Sequence, residues 1–391
     1  MWRPLAEIGR APGGGYARHG WNDAELACRA WFAERAAERG LATETDRNGN
    51  LWAWWGEPGP GAVVTGSHLD SVPSGGAFDG PLGVVSAFLA IDQLRAEGIT
   101  PRRPVAVAVF CEEEGARFGV ACLGSRLLTG ALDPARARAL TDPHGVTLAE
   151  AMRAAGADPD AIGPDPETAN RIGCYVELHI EQGRALTEPV GLASAIWPHG
   201  RWKYDFSGSA DHAGTTRIAD RRDPMLTFAR MVIAARARAI ETGALATVGR
   251  VLCEPNGTNA IPARITAWLD ARAPDEATLT AVTRAIEADT ATASRAHRTG
   301  LDVSAESLSP AVDFDGPLRG RLSAILGGSV PVLPTGAGHD AGVLAAVVPT
   351  AMLFVRNPTG VSHSPAESAG DGDCAAGVRA LARVLAGLVD P

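Results

Sequence analysis

The sequence lacks the features that mark membrane-bound, secreted or nucleic-acid-binding proteins. No apolar run approaches the roughly 20 residues that a membrane helix needs. The first residues contain no apolar segment followed by a cleavage signal. The six cysteines are scattered without a CxxC pair, which is typical of reduced thiols in a cytoplasmic protein. The net charge is −9 without a long basic run, so neither nucleic acid nor a membrane is expected as a partner.

The length of the chain predicts two domains. Its 391 residues exceed the roughly 250–300 at which single hydrophobic cores stop growing. Buried strands are predicted at 62–70, 105–115 and 174–183, and they alternate with helices at 22–40 and 83–98. This alternation favours an α/β fold with a mixed, mostly parallel sheet and helices on both faces. Each strand ends in polar residues, where such sheets place their sites.

The pattern changes between residues 198 and 311. There the predicted order is β-α-β-β-α-β, which is ferredoxin-like and complete in itself. We therefore expect an inserted α+β domain at 198–311. The first domain would be discontinuous and comprise residues 1–197 and 312–391.

The segment GSHLDSVPSGGAFDG combines three residues that suit a metal site. His68 and Asp70 are two apart on a strand and share a face, so Asp70 can orient a metal-binding His68. Asp79 follows in a glycine-rich loop that lets the backbone approach a cation closely. The plain alternative is a strand-end histidine and a turn aspartate, both solvated.

Three further segments carry acids or histidines near the ends of predicted strands. CEEEGARFG places Glu113 and Glu114 after a buried strand, where neighbouring side chains point to opposite sides. One acid could bind a metal while the other meets a metal-bound water, although a solvated acidic loop would explain the run equally simply. ELHIEQG contributes His179 and VSHSPAE contributes His363, and a lone histidine of either kind is more often structural. Together these residues supply the nitrogen and oxygen ligands of a two-metal site.

With these segments, the chain resembles the M20 family of metallohydrolases. Within it, the chain is similar to the branch of N-carbamoyl-L-amino acid hydrolases, allantoate amidohydrolases and β-ureidopropionases. The matching segments are GSHLDSVPSGGAFDG, EEEGARF, ELHIEQG, ADHAGTT, NGTNAIP, LDAR, GAGHDAG and SHSPAE.

The resemblance implies a zinc-exopeptidase-like catalytic domain with two divalent ions, either zinc, manganese, cobalt or nickel. By motif, His68 and His179 would bind one ion and Glu114 and His363 the other. Asp79 would bridge them, and Glu113 would be the general base. Asp70 would orient His68.

The resemblance also implies that the inserted domain is a lid through which a homodimer forms. His212 would then reach the active site of the other subunit, and Asn259 and Arg272 would hold a substrate carboxylate. Gln182 and the backbone of Gly338 would make further substrate contacts. From the residues alone, an exposed histidine at 212 and a surface ion pair at Arg272 remain open.

The expected reaction is cleavage of the ureido C–N bond in an N-carbamoyl-L-amino acid, allantoate, ureidopropionate or ureidoglycolate. The nearest alternative is an M20-type aminoacylase or dipeptidase, and a non-catalytic binding protein on the same fold is a more distant one. Two departures bear on the substrate. Arg217 and Ile218 replace the proline and methionine common in the family, and tryptophans cluster at 52–55 and 197–202.

Overall fold

The structure, a computed structural model, describes residues 2–390, which divide into two compact units. The first unit runs up to Ile196 and resumes at Asp313, and the second is Trp197–Val312. The first stretch of the chain contains α1 (Trp2–Ala6), α2 (Asp23–Ala37), β1 (Ala42–Thr45), β2 (Leu51–Trp55), β3 (Ala62–His68), α3 (Pro81–Ala96), β4 (Val105–Phe110), α4 (Leu123–Thr129), α5 (Pro134–Arg138), α6 (Leu148–Ala154), α7 (Pro166–Ala169), β5 (Ile172–Ile180) and β6 (Val190–Ile196). The second unit contains β7 (His199–Ser207), β8 (Asp211–His212), α8 (Pro224–Thr242), β9 (Leu245–Glu254), β10 (Ala260–Ile261), β11 (Arg264–Arg272), α9 (Glu276–His297) and β12 (Gly300–Ser309). The last stretch contains β13 (Val312–Asp313), α10 (Gly316–Ile325), β14 (Val332–Thr335), α11 (Asp340–Leu344), β15 (Thr350–Val355) and α12 (Asp371–Val389).

A nine-stranded sheet organises the first unit. Its strands run in the order β1-β2-β4-β3-β5-β15-β6-β13, and β14 also pairs with β6. The central strands β4, β3, β5 and β15 are mutually parallel, whereas β1, β2 and β6 pair in antiparallel fashion. The predicted mixed, mostly parallel sheet is therefore confirmed. The flanking strands β1, β2 and β6 were not predicted.

Alternation along the central strands separates an apolar face from a polar one. Val63, Val107, Val176 and Leu353 belong to the main core, which helices α3 and α12 complete. The residues between them point the other way, toward α4 and α11. On that face the strands carry histidine and glutamate near their carboxyl ends, and these side chains form the site.

Two of the three tryptophans of β2, Trp52 and Trp54, belong to the core rather than to a substrate pocket. Trp52 and Trp54 are buried and stack with ring centroids 6.1 Å apart. Their indole N–H groups donate to Asp46 and Glu44, at 3.2 and 3.0 Å. Since both rings are enclosed and their polar atoms paired, this cluster gives no reason to expect an unusual substrate.

The second unit is an antiparallel sheet in the order β12-β7-β11-β9, with helices α8 and α9 completing its core. The chain order β-α-β-β-α-β matches the predicted inserted α+β fold. Asp205 in β7 accepts hydrogen bonds from Thr266 and Arg264, both at 2.6 Å, and lies 3.0 Å from Lys203. Burial acts to raise the pKa of Asp205, but these three partners lower it to about 2.

Candidate metal centre

His68 and His179 lie side by side because their strands are paired. β3 and β5 are parallel with Gly66 opposite Glu177, so the residues two positions further on are also neighbours. Their rings stack with centroids 5.9 Å apart, and both side chains are buried. The Nδ1 atom of His68 lies 3.1 Å from the Asp70 carbonyl oxygen, and that of His179 lies 2.8 Å from the Ile180 carbonyl oxygen. These contacts fix both rings with the Nε2 atoms directed at Asp79.

Asp79 stands between two groups of side chains. Its Oδ1 atom lies 3.4 Å from Nε2 of His68 and 3.2 Å from Nε2 of His179. Its Oδ2 atom lies 3.4 Å from Nε2 of His363, which is itself 3.4 Å from Oε2 of Glu114. Within each group of three, the potential ligand atoms lie within 4.8 Å of one another. One carboxylate thus serves both groups, which is the arrangement of a bridging ligand.

The three glutamates after β4 point in different directions. Glu112 has a positive φ of 52°, and its carboxylate accepts backbone N–H groups of Gly20, Arg117 and Phe118 away from the histidines. Glu113 instead faces the centre, with Oε2 3.7 Å from Nε2 of His68. The run EEE therefore splits into one structural acid and two acids that face the site.

Asp70 connects the histidine to these acids. Its Oδ1 lies 3.5 Å from Nδ1 of His68 and accepts the backbone N–H of Glu113 at 3.2 Å. Its Oδ2 accepts the backbone N–H of Glu114 at 3.0 Å. A single buried carboxylate thus holds the ring of His68 and the turn that carries both glutamates.

Burial and mutual charge set the protonation of this cluster. Burial acts to lower the pKa of His68, but Glu113, Asp70 and Asp79 raise it well above its ordinary value. Burial acts to raise the pKa of Asp79, but the surrounding histidines hold it well below its usual range. Burial, together with neighbouring carboxylates, raises the pKa of Glu113 strongly and that of Glu114 to about 7. The protein's own charges therefore do not fully compensate the buried acids.

The residues present fit a pair of divalent cations. Buried carboxylates require a compensating charge, and two cations would supply it. The two groups, His68–Asp79–His179 and Asp79–Glu114–His363, offer imidazole nitrogen and carboxylate oxygen, a set that suits zinc, manganese, cobalt and nickel. The fold thus carries buried His/Asp/Glu clusters consistent with a dinuclear metal centre.

A third group, formed by Glu177, His179 and His339, is better explained as support. Glu177 accepts the Ser67 hydroxyl at 2.8 Å and the backbone N–H of Ala341 at 3.1 Å, so both its oxygens are engaged. His339 packs edge-on against His179 with ring centroids 4.5 Å apart. Glu177 and His339 therefore support the position of the His179 ring.

Of the two substrate residues expected in the first unit, Gln182 contacts the ligand groups, and among the described residues no such contact involves Gly338. Gln182 follows β5, and its amide nitrogen donates to Oδ2 of Asp79 at 2.6 Å and lies 3.2 Å from Nε2 of His363. It therefore touches the centre directly. Gly338 lies exposed in the turn before α11, with open space where a Cβ would stand.

The three expected lid residues do not form one cluster within the second unit. His212 is exposed and pairs through the β8–β10 ribbon with Ala260, and the backbone carbonyl of Asn259 accepts the backbone N–H of Ala213 at 3.0 Å. His212 and Asn259 are thus neighbours near the start of β11. Arg272 ends that strand, eight residues beyond Arg264, which is roughly 25 Å at the usual strand rise. Arg272 is paired with Asp270 at 2.9 Å.

Several residues of the centre were missed from the sequence. Glu367 accepts the backbone N–H groups of Phe78 and Asp79, and Ser362 donates to Oδ2 of Asp79 at 3.2 Å. Both lie in the segment VSHSPAE beside His363, so the motif itself was the available signal. Nothing in the sequence marks Glu177 and His339 as supports of His179, because single histidines and glutamates near strands are common.

The model of peptidase family M20/M25/M40 matches residues 64–387. The chain is 37% identical over 390 residues to the N-carbamoyl-L-amino acid amidohydrolase of Geobacillus stearothermophilus, covering 96% of this chain and 94% of that protein. It is 35% identical to the allantoate amidohydrolase of Escherichia coli (strain K12), covering 97% of this chain and 95% of that protein. The crystal structure of an amidase of the hydantoinase/carbamoylase family from Burkholderia vietnamiensis superposes with a TM-score of 0.89 at 30% identity, covering 100% of this chain and 96% of that one.

The chain belongs to the M20 family, in its hydantoinase/carbamoylase branch. It is therefore an amidohydrolase of the family that contains carbamoylases and allantoate amidohydrolases. Membership in this M20 branch agrees with the buried His/Asp/Glu cluster described above. Among residues 2–390, no helix is both long and apolar enough to span a bilayer.

Proposed function

We propose that this chain cleaves the ureido C–N bond of an N-carbamoyl-L-amino acid or a related ureido acid, such as allantoate, ureidopropionate or ureidoglycolate. The observation that carries the proposal is Asp79, whose two oxygens face two separate ligand groups with Glu113 beside them. The similarity to carbamoylases and allantoate amidohydrolases over nearly the whole chain supports the substrate class.

His68 and His179 would hold one divalent ion, Glu114 and His363 the other, and Asp79 both. Such ions lower the pKa of a water molecule and polarise a carbonyl group. Zinc, manganese, cobalt and nickel all suit this set of ligands, and metal analysis of the purified protein would select among them.

Glu113 would act as the general base and then as the general acid. It takes a proton from the attacking water and returns it to the leaving nitrogen. The overall reaction consumes one water and converts R–NH–CO–NH2 to R–NH2, CO2 and NH3. Asp70 would fix the positions of Glu113 and His68 through the contacts described above.

The lid residues would complete the site from two subunits. Because His212 and Asn259 lie at the opposite end of β11 from Arg272, one lid would have difficulty holding both ends of a small substrate. A homodimer removes this difficulty if the partner subunit's His212 stabilises the oxyanion while Gln182, Arg272 and the Gly338 backbone hold the substrate.

The second unit offers a surface that suits such a dimer. Helix α8 exposes Leu226, Ile233 and Ile240 at intervals of seven residues, by 50%, 60% and 70%. Strand β9 is an edge of its sheet and exposes Val251 and Leu252. An exposed apolar stripe beside an open strand edge is suited to pairing with a second copy.

A panel of substrates tests the proposed reaction. Metal-loaded protein should release ammonia from N-carbamoyl-L-amino acids or another ureido acid, and N-acyl amino acids and dipeptides should be poorer substrates. Turnover of N-acyl amino acids or dipeptides alone would favour an aminoacylase or dipeptidase. Absence of any turnover with two ions bound would favour a binding protein.

Mixing two inactive variants tests the shared site. Heterodimers of Glu113→Gln and His212→Ala contain one site with both groups intact. A random mixture should therefore regain about a quarter of wild-type activity. Mixtures that regain none would contradict a contribution of His212 across the dimer.

A further inference from the structure

The segment that carries His363 touches the centre at a second point. Glu367 lies four residues further on and is buried. A single oxygen, Oε1, accepts the backbone N–H groups of Phe78 at 2.8 Å and Asp79 at 3.0 Å. The loop that carries Asp79 is therefore tied to the loop that carries His363 across 288 residues of sequence.

The Asp79 loop is shaped around this carboxylate. A Cβ atom at Gly76 would lie 2.3 Å from both Cδ and Oε1 of Glu367. Any side chain at that position would displace the carboxylate or the loop. Glycine at 76 thus makes room for Glu367, which indicates that the contact is specific rather than incidental.

The two ligand groups differ in how firmly the fold holds them. His68 and His179 lie on neighbouring central strands, and each has its Nδ1 against a backbone carbonyl. Glu114 and His363 instead lie in loops, and the side chain of His363 is 48% exposed and its φ is +54°. The second group therefore depends on contacts that hold its loops together.

We propose that Glu367 is a positioning residue that sets the affinity of the second ion, bound by Asp79, Glu114 and His363, and leaves the first largely unaffected. This inference rests on the two-ion centre of the proposed function. Glu367 fixes Asp79 from the backbone side and so orients Oδ2 toward His363. Without it, the strand-borne histidines would still direct Oδ1 to the first ion.

Counting bound metal tests the inference without any substrate. Wild-type protein in excess Mn²⁺ or Zn²⁺ should retain two ions per chain after desalting, measured by mass spectrometry of the metal. Glu367→Ala should retain one, and the dissociation constant of the second ion should rise 10–100-fold, as is typical when a partner of a ligand is removed. Glu367→Gln keeps a carbonyl oxygen that can accept both N–H groups, so it should retain two.

Gly76→Ala provides an independent perturbation that leaves the carboxylate in the sequence. It should weaken the second ion selectively by displacing Glu367. Asp275→Ala is the control, because Oδ1 of Asp275 also accepts a backbone N–H group, from Thr278 at 2.7 Å, but Asp275 belongs to the second unit. This variant should retain two ions whatever its stability.

Three results would overturn the inference. They are two firmly bound ions in Glu367→Ala, equal weakening of both ions, and loss of an ion in Asp275→Ala. Wild-type protein that binds fewer than two ions at saturating metal would overturn it as well. Wild-type protein that binds two ions but hydrolyses no ureido acid would contradict the proposed substrate and leave the role of Glu367 standing.

Discussion

The shared position of Asp79 makes a quantitative prediction about stability. A ligand that binds only the folded state stabilises it by about 4 kcal/mol when present at roughly 1,000 times its dissociation constant. For a unit of this size, each kcal/mol raises the melting temperature by roughly 2–4 °C. Each ion bound at that excess, when metal is added to chelator-treated protein, should therefore raise the melting temperature of the first unit by roughly 8–16 °C.

Replacing Asp79 with asparagine should remove most of that shift. The carboxylate places Oδ1 3.2 Å from His179 and Oδ2 3.4 Å from His363, so each oxygen faces a different ligand group. Asparagine has a single oxygen and no charge, and its amide nitrogen would face the other group. We expect at most one weakly bound ion and a thermal shift below roughly 2 °C at the same metal concentration.

Calorimetry with and without metal measures this shift, and metal analysis of the same samples counts the ions. Asp205→Asn is the control because it also neutralises one aspartate, but in the second unit. It should keep the full metal-induced shift. Asp79→Asn that bound two ions with the same metal-induced rise in melting temperature as wild type would show that Asp79 is not the bridging ligand. The assignment of one Asp79 oxygen to each ligand group would then be wrong.

Four other predictions concern residues outside the metal ligands. Glu113→Gln should retain both ions and lower kcat by roughly 10²–10⁴-fold, and near wild-type turnover would refute its role as base. Asp205 should stabilise the second unit fully above its unfolded pKa of roughly 3.9, and this stabilisation should disappear as the pH falls toward 2. Urea unfolding of wild type and Asp205→Asn at several pH values measures the difference in stability. A difference that does not depend on pH would refute the assignment. Ile233→Glu with Ile240→Glu should convert a dimer to monomers in light scattering, and an unchanged mass would exclude this face. Trp52→Ala should destabilise the first unit by roughly 3–5 kcal/mol without changing substrate preference, whereas a changed preference would place Trp52 near the substrate.

Much of the fold could be predicted because local patterns are strong in this chain. Helix α2 begins where expected, with the side chain of Asn22 accepting the backbone N–H of Glu25 at 2.8 Å. The continuous apolar runs of β3, β4 and β5 reflect burial on both faces of a parallel sheet. The strands β1, β2 and β6 were missed, although LWAWW of β2 is a buried apolar run like those of β3 and β4.

The predicted ligands lie together because parallel strands bring their carboxyl ends to one edge. The sequence alone offered His68, His179, Asp79, Glu114 and His363 as candidate ligands, and the family resemblance assigned them to two ions. The assigned roles remain predictions. The sequence also suggested a possible substrate effect of the tryptophans at 52 and 54, which the structure places in the core instead.

By itself, the sequence determined the central strands, the inserted α+β fold and the ligand types, because these follow from periodicity and from side-chain chemistry. Only the tertiary structure decided that Glu112 turns away while Glu113 faces the centre, because a positive φ at one residue has no reliable sequence signal. Only the tertiary structure brought Glu367 onto the Asp79 loop and His339 against the ring of His179. Those relations join residues far apart in the chain, and their distances are fixed by how strands and loops pack rather than by spacing along the sequence.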